Sequence, residues 1–96
     1  MNNLEEIKNK ITKSKSFFTQ EYGVKEIAIF GSYSRNEQTS NSDIDILVDF
    51  NKPIGLKFVN LSDDLEKTLG IKTHLVSKNA LKNNFKNIIE QDLIYV

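Results

Sequence analysis

Apolar residues in the first quarter of the chain recur at helical spacing. Leu4, Ile7, Ile11, Phe18 and Tyr22 stripe one face of a helix over residues 3–22. Lys8, Lys10, Lys13 and Lys15 fall mostly off that stripe; they read as a solvated face or as a weak phosphate or partner patch. Gly23 follows the last periodic position and suits a left-handed cap. The period then changes. From about Lys25 to Phe30 the apolar run is nearly continuous, which predicts a strand buried on both faces.

Beyond Gly31-Ser32, residues 33–38 are expected to make one or two helical turns, and residues 39–42 read as loop. Alternation returns from Asp43 to about Phe50, a second strand closed by Asn51-Lys52-Pro53, the last being the only proline. Phe58, Leu61, Leu65 and Leu69 predict an amphipathic helix from about Ile54 to Leu69, capped by Gly70. A short third strand is expected at Lys72–Val76. Ser77 then suits the N-cap of a last helix whose inward face would be Leu81, Phe85, Ile88 and Ile89. The apolar tail Leu93–Val96 is left between packing on the core and packing on a partner. The order predicts an α+β (mixed α/β) fold: a small three-stranded mixed sheet with helices mainly on one face, one domain over residues 1–96.

Composition narrows the classes. With 96 residues, 39% hydrophobic and 27% charged, the chain has the makeup of an ordinary globular protein. Its formal net charge is zero, so no direct nucleic-acid binding and no attraction to anionic lipid are expected. There is no cysteine, hence no disulfide framework and no thiolate metal site. The first residues lack the pattern of a signal peptide and no apolar run approaches membrane-spanning length, so the expected location is the cytoplasm.

The chemistry gathers in residues 27–49. Asp43 and Asp45 stand two apart on an expected strand, so their side chains project from one side while Ile44, Ile46 and Val48 take the other. Parallel carboxylates repel unless a cation lies between them, and a hard divalent ion such as Mg2+ prefers such oxygen donors. Gly31-Ser32 supplies the complement: a backbone free to approach closely, with amides and a hydroxyl able to hold phosphate oxygens. Each half alone is also what a solvated sheet face or an ordinary turn would show. Together, at this spacing, they arise by chance in about one chain of this length per thousand.

The stretch from Gly31-Ser32 through Arg35, Glu37 and Ser42 to Asp43-Ile44-Asp45 resembles the signature of DNA polymerase beta-like nucleotidyltransferases. More narrowly it is similar to the minimal nucleotidyltransferases, the MNT or MntA-type partners of HEPN proteins in bacterial and archaeal two-gene modules. Asn36 stands where that family commonly has glycine. The resemblance implies a palm-like core without fingers or thumb, so the acceptor must be presented by another molecule. It implies ATP as substrate, Mg2+ or Mn2+ held by Asp43 and Asp45, and triphosphate contacts from Gly31, Ser32 and Arg35. Arg35 also reads as a simple ion pair with Glu37 or Glu26.

The family's third carboxylate falls on the third strand, and there this chain has His74, its only histidine. Imidazole is a poor Mg2+ ligand, better suited to Mn2+ or Zn2+, and titrates near neutrality, so it remains a candidate base. Losing one positioned charge raises a transfer barrier by about 2–4 kcal/mol. Asp49, on the Asp45 side, lies about 13 Å further along a strand and is a poor substitute. Two functions follow. One is an antitoxin that moves AMP onto a tyrosine of a HEPN-type toxin; the other is a weakened nucleotide-binding module that neutralises its partner by docking. Transfer to a small molecule fits less well, since no second domain is there to form its pocket. A homo-oligomer stays open.

Overall fold

The computed structural model describes residues 3–81 and 83–96, the side chains of 83 and 84 excepted. The first helix, α1, runs Leu4–Tyr22. It starts where Asn3, still extended, accepts the Glu6 amide on its side chain at 2.9 Å, and it stops at Gly23 in the left-handed region at φ 67°. Strand β1 is Val24–Phe30, β2 Ile44–Phe50, helix α2 Lys57–Leu69 and β3 Thr73–Ser77. A 3-10 turn at Lys78–Ala80 leads to α3, Asn83–Glu90, and β4, Ile94–Tyr95.

The sheet order is β3-β2-β1-β4, with β1 antiparallel to both β2 and β4, and β2 parallel to β3. Four strands, not three, make the sheet. The fourth is the apolar tail, which settles on the edge of β1 with Tyr95 opposite Ala28 and Ile94 opposite Ile29. Two residues have no period of their own; only the neighbouring strand makes them a strand.

Alternation sorts the sheet into two faces. Ile27 and Ile29 of β1 and Ile44, Ile46 and Val48 of β2 face α1 and α2, meeting Ile7, Ile11 and Phe18 from one helix and Leu61, Leu65 and Leu69 from the other in one buried cluster. The opposite face carries Ala28 and Leu47, also buried, so β1 is covered on both sides as its apolar run predicts. Leu81, Ile89 and Leu93 close on Leu47 there around a small crevice. The expected inward face of α3 is therefore only half right. Ile89 turns in, while Phe85 and Ile88 are exposed and do not line that crevice. Likewise α2 begins three residues later than its pattern suggested, since a turn at Ile54–Lys57 intervenes. None of the helices described is long and apolar enough to cross a membrane.

One polar bond ties the two large helices together: the Tyr22 hydroxyl donates to the Asp64 carboxylate. Burial, then that bond to a carboxylate, pushes the Tyr22 hydroxyl up to about 12 from its usual 10.0. The folded state thus holds a proton that the unfolded chain releases near 10. The contribution is complete below about pH 10 and is lost as pH rises toward 12. Denaturant titrations from pH 8 to 12 should show stability falling across that window, and Tyr22→Phe should flatten the decline. An equally steep decline in the variant would disprove the link.

Candidate active site

β1 leaves the sheet at Phe30, where β2 enters, because the two strands are antiparallel; Phe30 lies opposite Asp45. On the other side of β2, the parallel register sets His74 of β3 opposite Asp45. Asp45 therefore stands at the centre of three strands, on the face away from α1 and α2.

Its two carboxylate oxygens have different neighbours. Oδ1 is 3.1 Å from His74 Nδ1. An ionised carboxylate only accepts, so in this contact the ring donates from Nδ1. Oδ2 lies against the backbone of Gly31, where a Cβ would fall only 2.1 Å away. Gly31 also has φ +74°, so the residue is required twice over, by conformation and by space. The Asp45 side chain keeps 25% of its surface and His74 68%, which leaves both reachable.

The segment after Gly31 is a series of turns through Asn36, not the one or two helical turns expected. Gly31 O accepts the amides of Ser34 and Arg35 and the Ser34 hydroxyl, and Ser32 O accepts the Glu37 amide at 2.8 Å. These bonds are donated by residues 34 to 37, not by the Ser32 and Tyr33 amides that follow the glycine. Tyr33 is buried and anchors the turn from below. Asn36 sits at φ 57°, a conformation asparagine tolerates better than most residues, which accounts for glycine being common there in the resembled family.

The sequence-predicted residues divide accordingly. Gly31 and His74 each meet Asp45, on different oxygens, with Ser32 next in the turn. Asp43 is exposed and lies one residue before β2, in its lead-in rather than in the strand. Arg35 is paired with Glu37, as one reading had it, and with Asp92, which no local pattern could reveal because it lies 57 residues on. Asp49 accepts the adjacent Phe50 amide at 3.0 Å. Among the described residues no three His, Cys, Asp or Glu side chains gather closely enough to hold a metal unaided.

Residues 11–96 match the model of the nucleotidyltransferase domain. The chain belongs to the nucleotidyltransferase family. It is similar to a candidate protein adenylyltransferase of Methanocaldococcus jannaschii, 55% identical over 98 residues and covering 100% of both chains. It is 43% identical to the protein adenylyltransferase MntA of Thermococcus cleftensis, over 97% of this chain and 95% of that one. Among solved structures, a candidate minimal nucleotidyltransferase superposes with a TM-score of 0.82 at 26% identity, covering 97% of this chain and 95% of its own. A toxin–antitoxin crystal structure with AMP-PNP superposes at 0.73 and 26% identity, covering 91% and 69%. This nucleotidyltransferase is thus an enzyme by family, and the turn that meets Asp45 belongs to the matched region.

Proposed function

We propose that this nucleotidyltransferase transfers AMP from ATP to a tyrosine hydroxyl of a HEPN-type toxin and acts as its antitoxin. The observation that supports the reading is the Gly31 backbone laid against the Asp45 carboxylate, a close approach that suits a turn holding phosphate beside an acid holding a cation. The names of the relatives, protein adenylyltransferase and MntA, support the same direction.

The donor set fits a divalent cation that arrives with its nucleotide. Asp45 and Asp43 offer hard oxygens but too few to enclose an ion, and Mg2+ commonly takes one or two carboxylates together with substrate phosphates and water. Such an ion, when bound, neutralises the phosphate oxygens as charge builds on them. The chain's own part is alignment. The Gly31-Ser32 turn orients the triphosphate, and Asp45 and Asp43 fix its position against the sheet. The acceptor oxygen forms a bond to the α-phosphorus, the bond to the β-phosphate oxygen breaks, pyrophosphate leaves and the hydroxyl proton passes to solvent.

A second reading is favoured by the His74–Asp45 contact: with a histidine in the third acidic position, the chain binds nucleotide weakly or idly and neutralises its partner by docking. Incubation with ATP, Mg2+ and a HEPN-type toxin, followed by intact-mass spectrometry of both chains, separates the two. The transferase adds one or more AMP units to the toxin. A tight complex with unmodified toxin supports docking and removes the first reading.

A further inference from the structure

β3 is a border strand, paired with β2 and open on its other side. The direction of its backbone groups follows from the parallel register. Ile44 stands opposite Thr73, and its amide donates to Lys72 O at 2.9 Å. In a parallel ladder the next bonds on β3 then belong to His74 and Val76, and the backbone groups of Thr73, Leu75 and Ser77 point outward. The Thr73 amide agrees, since it leaves the sheet to donate to Glu66 Oε1 at 3.0 Å. Among the described residues no backbone group takes the outward amide and carbonyl of Leu75 or the Ser77 amide.

Apolar space lies along the same edge. Phe50, Ile54, Phe58 and Leu75 line a groove of about 620 Å³ that extends to Ser77 and Ala80. Those four pack with the core beneath α1 and α2, so the groove belongs to the helix face of the sheet. Asp45 and His74 occupy the opposite face, with the free edge of β3 between the two places. A helix or a compact ligand laid on one face reaches only one of them. An extended segment along the edge reaches both, because its successive side chains alternate. Charge favours an acidic one: Lys72 and Lys78 flank β3 and Lys52 lines the groove, whereas Glu66 is spent on the Thr73 amide.

We propose that the acceptor protein adds an extended, acidic segment to the outer edge of β3, with one apolar side chain seated in the groove. The proposal rests on the reading of the Asp45 centre as the place where AMP passes to a protein hydroxyl. Register sets the spacing. A residue opposite His74 turns its side chain to the Asp45 face, and one opposite Ser77 turns to the groove. Three positions, about 10 Å of strand, separate them. The acceptor hydroxyl and the apolar anchor thus stand three residues apart, whichever way the added strand runs. Main-chain bonds to Leu75 and Ser77 supply affinity, and the groove decides which segment is taken.

Two peptides of one composition test it, both rich in glutamate around a central tyrosine. In the first, leucines stand three residues before and after the tyrosine; in the second, two residues before and after. Each is titrated into the full chain with amide hydrogen exchange read along β3, then incubated with ATP and Mg2+ to obtain KM by mass spectrometry. The first peptide should slow exchange at Leu75 and Ser77 and leave His74 and Val76, already bonded to β2, as they are. Its KM should be lower than that of the second by about ten-fold or more, the scale of withholding one leucine from an apolar site. Ala80→Glu, at an exposed position on the groove, should abolish that preference while Mg-ATP affinity by calorimetry keeps its wild-type value. The added strand is overturned by unchanged exchange at Leu75 and Ser77, by equal KM values, by a preference that survives in Ala80→Glu, or by no binding of either peptide. Should the first peptide protect those two amides yet receive no AMP, the transferase reading fails and the docking edge stands.

Discussion

Gly31→Ala is expected to reduce AMP transfer by at least about 100-fold, the usual scale for misplacing a reacting group by about an ångström. The added methyl would stand 2.1 Å from Asp45 Oδ2, far inside van der Waals contact. Either the carboxylate leaves its place opposite His74 or the turn retreats from the sheet, and both separate the Gly31 turn from the Asp45 carboxylate. The backbone adds a second cost, because alanine at φ +74° loses about 1–2 kcal/mol. In a domain of this size that lowers the melting temperature by about 4–8 °C per kcal/mol. Gly70→Ala separates the two effects. Gly70 has a similar φ of +69° but nothing within 4 Å of its would-be Cβ. It should match the loss of melting temperature and leave transfer nearly intact. Equal transfer by the two variants would show that the approach of Gly31 to Asp45 is irrelevant to function.

His74→Asp is expected to change activity in the opposite direction, raising Mg2+-dependent transfer by about 30- to 1,000-fold, equivalent to 2–4 kcal/mol of transition-state stabilisation. Position 74 faces Asp45 across paired strands, and its side chain already reaches that carboxylate at 3.1 Å. An aspartate there would repel Asp45 until a cation neutralised both. The variant should therefore be less stable than wild type without Mg2+ and should gain more in melting temperature when Mg2+ is added. A rate and a Mg2+ response equal to those of wild type would mean that His74 costs nothing, and the weakened-site reading would go with it.

Which parts of this molecule could be read along the chain follows from the range of the forces involved. α1, α2, β1 and β2 carry their own periodicity, and Gly23 and Gly70 end their helices for a local conformational reason, so four elements and two caps are visible in consecutive residues. Gly31 and Asp45 were legible as a pair through their spacing, although only the structure shows how closely they approach. β4 is too short to have a pattern and exists by pairing with β1. Phe85 and Ile88 keep helical spacing, yet spacing does not say whether a surface awaits them. The Arg35–Asp92 pair joins residues brought together by the sheet edge alone, and it left no trace in sequence.

Gly31 extends from β1 and Asp45 stands on β2, the two interior strands, whereas His74 is carried by β3 on the open border. Interior strands separate only when the whole domain unfolds, and border strands fray at lower cost. Transient local melting would accordingly release the histidine while the glycine and the aspartate stay together, so the two halves of the same centre have unequal lifetimes.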